Sequence, residues 1–100
     1  MGRNSNRITN YGSAKGKMLE MSKQDVYYKI EDLRTVLRDI SNNHKKWGTE
    51  WYELVALSMF DDAKTLLLMN CKGEMVVTTI YLINELADLK SHLAQMERGE

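Results

Sequence analysis

Two pairs of carboxylates have a spacing that suits divalent-metal chemistry. Glu50-x-x-Glu53 and Glu85-x-x-Asp88 each place two acidic side chains three residues apart. On a helix, residues three apart lie on the same side. Carboxylate oxygens are ligands that Mg²⁺ prefers, and bound Mg²⁺ polarises phosphate groups for attack by water. Two helices that present these pairs to each other would form a magnesium site.

The two pairs resemble the ExxE and ExxD motifs of MazG-type nucleotide pyrophosphohydrolases, an all-helical family, over the stretch from Glu50 to Asp88. The resemblance implies that the four carboxylates hold magnesium against the phosphates of a nucleotide. Helical spacing instead puts each pair on the polar side of its own helix. Tyr52 also stands where the family usually has the first glutamate of a doublet. We therefore predict that the chain is not an enzyme and needs no cofactor or metal, with a MazG-like, magnesium-dependent nucleotide pyrophosphohydrolase as a second alternative.

Three further reactive side chains lack the neighbours that would complete a catalytic group. His44 and His92 have no adjacent carboxylate or metal ligand in the sequence, so both are expected at the surface. Cys71, the only cysteine, precedes Lys72 in a predicted turn, where we expect an exposed thiol. A lone cysteine permits no internal disulfide, which favours a cytoplasmic, intracellular location. The longest apolar run, 75–83, is shorter than the roughly 20 residues that span a bilayer, so no membrane partner is expected.

The first part of the chain differs from the rest in charge. Residues 1–23 contain five basic side chains and one acidic one, whereas the remainder contains nine basic and 13 acidic residues. We predict a basic, flexible arm over 1–21 and a helical domain over 22–100. Clustered cations bind acidic protein surfaces or nucleic acid, and the alternative is a solvated tail folded back on its own acidic body. The predicted contact residues of the arm are Arg3, Arg7, Tyr11, Lys15 and Lys17.

The helical domain begins at a capping sequence, SKQD. Ser22 can accept a hydrogen bond from the backbone of Asp25, whose carboxylate favours the positive end of a helix dipole. Apolar residues then recur at intervals of four and three, which predicts one helix of about 20 residues. Lys45, Lys46 and Gly48 indicate its end. The apolar stripe consists of Val26, Ile30, Leu33, Leu37 and Ile40.

A second helix is predicted from a cap at Thr49 to about Asn70. Its inward side includes Asp62, which is costly to bury as an unpaired ionised group. We predict a break in which Ser58 caps a fresh helix and Asp62 lies near its exposed start. The alternative is a buried Asp62 paired with a Lys or Arg. The predicted inward residues are Trp51, Leu54, Val55, Met59, Leu66 and Met69.

A third helix is predicted from Glu74 to about Arg98. Its apolar residues repeat at four and three over three heptads, the spacing of a coiled-coil seam, and a second apolar stripe lies beside them. We therefore expect this helix at the centre of the bundle or against another chain. The alternative is a β-hairpin around residues 64–80, because VVTTI is rich in β-branched residues. The seam consists of Met75, Thr79, Leu82, Leu86, Leu89, Leu93 and Met96.

These patterns predict an all-α chain, either a small three-helix bundle or an assembly of helical hairpins, with an α+β fold as the alternative. The two tryptophans, Trp47 and Trp51, are expected to close the junction of the first two helices. A small bundle with two Trp and seven Met leaves apolar surface exposed, which favours a protein partner or a homo-oligomer. We predict a non-enzymatic interaction module, namely a small regulator, inhibitor or assembly component. The alternative is a nucleic-acid-binding protein that uses the arm. The predicted interface residues are Val26, Ile30, Leu33, Leu37, Leu82, Leu86, Leu89, Leu93 and Met96.

Overall fold

The computed structural model describes residues 21–99. This part of the chain contains helices and no strand, so the predicted all-α fold is confirmed and the alternative hairpin around residues 64–80 is wrong. The elements are α1 (Lys23–Asn43), a 3₁₀ turn (Lys45–Trp47), α2 (Glu50–Ala56), α3 (Phe60–Asn70) and α4 (Glu74–Glu97).

Helical packing overrides the β propensity of the segment around residue 78. Val76, Thr79 and Ile83 are buried at intervals of three and four, which is the spacing of a helix face and not of a strand. The Thr79 hydroxyl donates to the carbonyl oxygen of Met75 at 2.6 Å, within the helix. Propensity is a weak preference, and burial of a continuous apolar stripe outweighs it.

The first helix begins at the predicted cap and has the predicted length, but it ends at Asn43, before Lys45, Lys46 and Gly48, which belong to the 3₁₀ turn that follows. Ser22 is the N-cap, and its Oγ accepts a hydrogen bond of 3.1 Å from the backbone N–H of Asp25. At the other end, the N–H of His44 donates to the carbonyl of Ile40 at 3.0 Å. Gly48 follows with φ of 79°, in the left-handed region that glycine adopts without a steric penalty.

The second helix breaks at the predicted place, but Ser58 is not the cap. Ser58 adopts the left-handed conformation with φ of 62°, and Met59 is the N-cap of α3. The N–H of Ser58 donates to the carbonyl of Val55 at 2.9 Å, and that of Met59 to Leu54 at 2.8 Å. These two bonds form a Schellman motif, which ends α2. Asp62 lies exposed in the first turn of α3, so the break is confirmed and the alternative of a buried Asp62 is wrong.

The turn between α2 and α3 resets the helical register. Met59 and Met69 are exposed although the continuous stripe predicts them inside, and Ala63 and Leu67 are buried in their place. A stripe extrapolated from α2 therefore does not carry into α3.

The longest helix, α4, lies at the centre of the bundle and packs against both α1 and α3, most extensively against α1. The Tyr27 hydroxyl, near the start of α1, donates to Glu97 Oε2, at the end of α4, at 2.6 Å, so these two helices run antiparallel. The short α2 packs against α3 and α1. The buried apolar core consists of Val26, Ile30, Leu33, Leu37, Ile40, Trp51, Val55, Ala63, Leu67, Cys71, Val76, Ile83, Leu86 and Leu89.

Principal extents of 51 × 29 × 19 Å make the bundle elongated and about two helix diameters thick in its thinnest direction. A thin bundle leaves broad helix faces in contact with solvent. Among residues 21–99, no helix combines the length and the apolar character that crossing a bilayer requires.

Candidate interaction surface

The nine residues predicted to contact a partner lie in the chain's own bundle. Those on α1, with Leu86 and Leu89 of α4, are buried in the core. Leu82, Leu93 and Met96 are partly buried and pack against it. The chain's own helices therefore cover six of the nine side chains fully and the other three in part. The predicted contact residues of the arm lie outside the described residues: Arg3, Arg7, Tyr11, Lys15 and Lys17.

The two carboxylate pairs lie on different helices that do not present them to each other. Glu50 and Glu53 are exposed on α2, and Glu53 accepts a hydrogen bond of 3.4 Å from the Thr49 hydroxyl. Glu85 and Asp88 lie on α4. Within the part of the chain that the structure describes, no three His, Cys, Asp or Glu side chains are close enough to hold a metal ion.

Cys71 is buried, with 7% of its surface exposed, so the prediction of an exposed thiol is wrong. It directly follows α3 and belongs to the apolar core that α3 and α4 share, where a small apolar side chain fits. Burial raises the pKa of the Cys71 thiol, which opposes formation of a reactive thiolate.

Aromatic side chains close the junction of α1 and α2, where Trp47 and Trp51 were predicted. The His44 ring stacks on Trp47 with centroids 4.5 Å apart, and Trp47 meets Trp51 edge-on at 6.4 Å. Tyr52 in turn packs edge-on against Trp51 at 6.1 Å. With Trp51 buried and Trp47 packed against the core, this cluster anchors the junction. The other histidine, His92, is half-buried on α4.

Lys90 on α4 ties the α2–α3 turn to the central helix. Its Nζ donates to Ser58 Oγ at 2.9 Å and lies 5.9 Å from the ring centroid of Phe60. Partial burial lowers the pKa of Lys90, and the positive charge of Arg34 lowers it further. The far end of the α3–α4 pair is therefore held in place by a side-chain contact as well as by the core.

Exposed apolar side chains gather near the tip of the α3–α4 pair. Leu68, Val77 and Tyr81 are 67%, 71% and 63% exposed. The Lys64 Nζ donates to Asn84 Oδ1 at 2.7 Å, which marks the line where the outer sides of α3 and α4 meet.

Helical spacing places the three apolar residues along that line. Leu68 lies one turn beyond Lys64, Tyr81 lies one turn before Asn84, and Val77 lies one turn before Tyr81. Because the two helices run antiparallel from the turn at residues 71–73, all three side chains lie on the same outer side. We name Leu68, Val77 and Tyr81 the hairpin face.

Sequence reasoning missed the hairpin face because its residues lie outside the four-and-three seam. The available signal was the pair Val77 and Tyr81, one turn apart and apolar on the side of α4 opposite the seam. At the tip, Lys72 and Glu74 are exposed on either side of Gly73.

No protein-family model matches the chain, nor does any curated protein or solved structure.

Proposed function

We propose that the chain is a non-enzymatic interaction module that acts by binding protein through the hairpin face. The observation that carries the proposal is that the bundle completes its core without Leu68, Val77 and Tyr81, which stay mostly exposed and which helical spacing places along one outer line of the α3–α4 pair. Adjacent exposed apolar side chains mark interaction surfaces more often than scattered ones do. Such a module is suited to regulate, inhibit or assemble a larger structure.

The surroundings of the hairpin face favour binding because they are already ordered. The Lys64–Asn84 bond holds the outer sides of α3 and α4 together, and Lys90 holds the turn before α3. A surface that is rigid before binding loses less conformational entropy when a partner docks. Tyr81 adds an aromatic ring with few rotatable bonds, a type of residue that often dominates interface energies.

We propose that the basic arm adds a second, electrostatic contact with an acidic surface on the partner. Its support is the uneven charge of the chain, with five basic residues and one acidic residue in positions 1–23. Nucleic acid is the rival partner for the arm. Phosphate contacts give a steep loss of affinity with salt, whereas apolar packing through the hairpin face gives a shallow one.

The test is affinity capture from cells that produce the full chain, comparing Tyr81→Glu with Tyr28→Glu. The two tyrosines form a matched pair, since Tyr28 on α1 is 60% exposed and Tyr81 is 63% exposed. We expect proteins bound by the natural chain to be retained by Tyr28→Glu and lost with Tyr81→Glu, after nuclease treatment. Equal capture by both variants, with unchanged helical circular dichroism, would contradict the proposal.

A further inference from the structure

We propose that the hairpin face binds a second copy of this chain, related by a two-fold axis that runs along the α3–α4 pair. This inference rests on the proposed function and names its partner. A rotation about that axis puts α3 of each copy against α4 of the other. The four helices then form a four-helix arrangement in which each helix is antiparallel to its neighbours.

The register of the hairpin makes the apolar residues self-complementary. Lys64 bonds to Asn84, so these two positions lie at the same level along the pair. Counting four residues toward the turn on each helix brings Leu68 level with Ile80, between Val77 and Tyr81. The two-fold rotation therefore places Leu68 of one copy between Val77 and Tyr81 of the other. The same contact is made twice.

The charges at the tip are complementary under the same rotation. Lys72 follows α3 and Glu74 begins α4, and both are exposed. The ion pairs between side chains of residues 21–99 join Lys23 to Glu97, Arg34 to Glu31 and Lys64 to Asp61, so they leave both tip charges for another chain. With α3 of each copy on α4 of the other, Lys72 of one copy lies next to Glu74 of the second copy. A strongly acidic or strongly basic partner would leave one of the two charges facing a like charge.

The first experiment measures the mass of the purified, nuclease-treated full chain by sedimentation velocity from low-micromolar to sub-millimolar concentration. We expect a monomer–dimer equilibrium whose dissociation constant rises at least about tenfold in Leu68→Glu, a change of about 1.4 kcal/mol. Leu57→Glu is the matched control, because Leu57 is 69% exposed at the end of α2, away from the hairpin face. Equal weakening by both variants would overturn the assignment of the surface.

The second experiment tests the two-fold geometry by charge reversal. Lys72→Glu and Glu74→Lys are each expected to weaken the dimer, because each places like charges opposite one another twice. An equimolar mixture of the two variants should recover the dimer, since every contact then joins opposite charges. If the mixture stays as dissociated as the separate variants, this geometry is wrong.

The outcomes separate the second copy from other partners. If the purified chain is a monomer at every concentration while Tyr81→Glu still loses captured proteins, the hairpin face serves a different protein and the second-copy inference is overturned. The proposed function then stands. If the chain is a monomer and capture does not depend on Tyr81, both proposals fail.

Discussion

The two helices that pack against α4 contact it in different ways. α1, with 21 residues, makes the most extensive contact with α4, which has 24, and the apolar stripes of both helices are buried. α3, with 11 residues, accompanies less than half of α4 and leaves Leu68, Val77 and Tyr81 exposed along its outer line with that helix. The α1–α4 contact therefore stabilises the fold, while the α3–α4 contact also presents a surface.

This difference separates stability from binding along a single helix. Side chains of α4 that face α1 contribute through burial, so their replacement changes the free energy of unfolding. Side chains of the hairpin face lose little water contact on folding, so we expect their replacement to leave the free energy of unfolding nearly unchanged and, under the proposed function, to weaken association. On α4, Val77 and Tyr81 lie on a different side from the residues that face α1, which allows each group to be varied without the other.

The largest effect expected is a loss of stability in Leu37→Ala. Leu37 is completely buried between α1 and its neighbours, so truncation removes apolar contacts and leaves a cavity, at a cost of about 2–5 kcal/mol. Leu68→Ala, the same change on the hairpin face, should alter the free energy of unfolding by less than about 0.5 kcal/mol. Urea denaturation at a concentration where the chain is monomeric compares them. Similar losses in the two variants would contradict the distinction between the buried α1–α4 contact and the hairpin face.

Gly73→Ala should have the next largest effect, because it strains the turn that sets the α3–α4 pair. Gly73 has φ of 111°, and nothing lies within 4 Å of the position that a Cβ would occupy. The cost is therefore one of backbone conformation, on the order of 1–3 kcal/mol. Lys72→Ala is the control for the neighbouring position. Thermal and urea unfolding of both variants measure the difference, and an unchanged stability of Gly73→Ala would show that the turn has a different backbone conformation.

A smaller effect is expected at Ser58. A side chain in the left-handed region costs about 1 kcal/mol relative to glycine, so Ser58→Gly should relieve strain at the end of α2. Ser58→Ala is the matched control, since both variants lose the hydroxyl that accepts from Lys90 and only alanine keeps the strain. We expect Ser58→Gly to be more stable than Ser58→Ala by about 1 kcal/mol in urea denaturation. A less stable glycine variant would refute the role of the Schellman turn.

Much of the α1–α4 contact could be predicted from the sequence, but less of the α3–α4 contact could. Ser22 marks the start of the first helix, and Gly48 ends the 3₁₀ turn that follows it, because caps and left-handed turns have local side-chain signatures. The seam of α4 keeps a constant period, and its Thr79, Leu86 and Leu89 are buried, together with Val76 and Ile83 of the apolar stripe beside it. Both signals depend only on residues close together in the chain.

The rest depends on geometry that no local pattern specifies. The break after α2 uses Ser58 at a position where glycine is usual, so its mechanism and the new register of α3 could not be extrapolated. Burial of Cys71 follows from that register. The hairpin face could not be predicted without knowing that Leu68 and Tyr81 lie on the same outer side of the α3–α4 pair. The hydrogen bond between Lys64 and Asn84 in the folded chain indicates this.

The smallest effect we predict depends on pH and lies where Tyr27 of α1 contacts Glu97 at the end of α4. The hydrogen bond that the Tyr27 hydroxyl donates to Glu97 raises the pKa of Tyr27, with smaller contributions from burial and from the Glu97 charge. The folded chain therefore holds this proton more tightly than the unfolded chain. The resulting stabilisation is complete below the ordinary tyrosine pKa of about 10, and it is lost as the pH rises through the raised value.

The melting temperature should thus fall more steeply between neutral pH and pH values above 10 for the natural chain than for Tyr27→Phe, which lacks the phenolic proton. Tyr28→Phe is the control, because its hydroxyl accepts from Gln24 within α1 and does not link two helices. Deprotonation of Lys90 in the same range affects all three proteins equally, so it cancels in the comparison. If the melting temperatures of the natural chain and Tyr27→Phe fall equally with pH, the Tyr27–Glu97 hydrogen bond does not stabilise the contact between α1 and α4. Apolar burial alone then aligns the two helices.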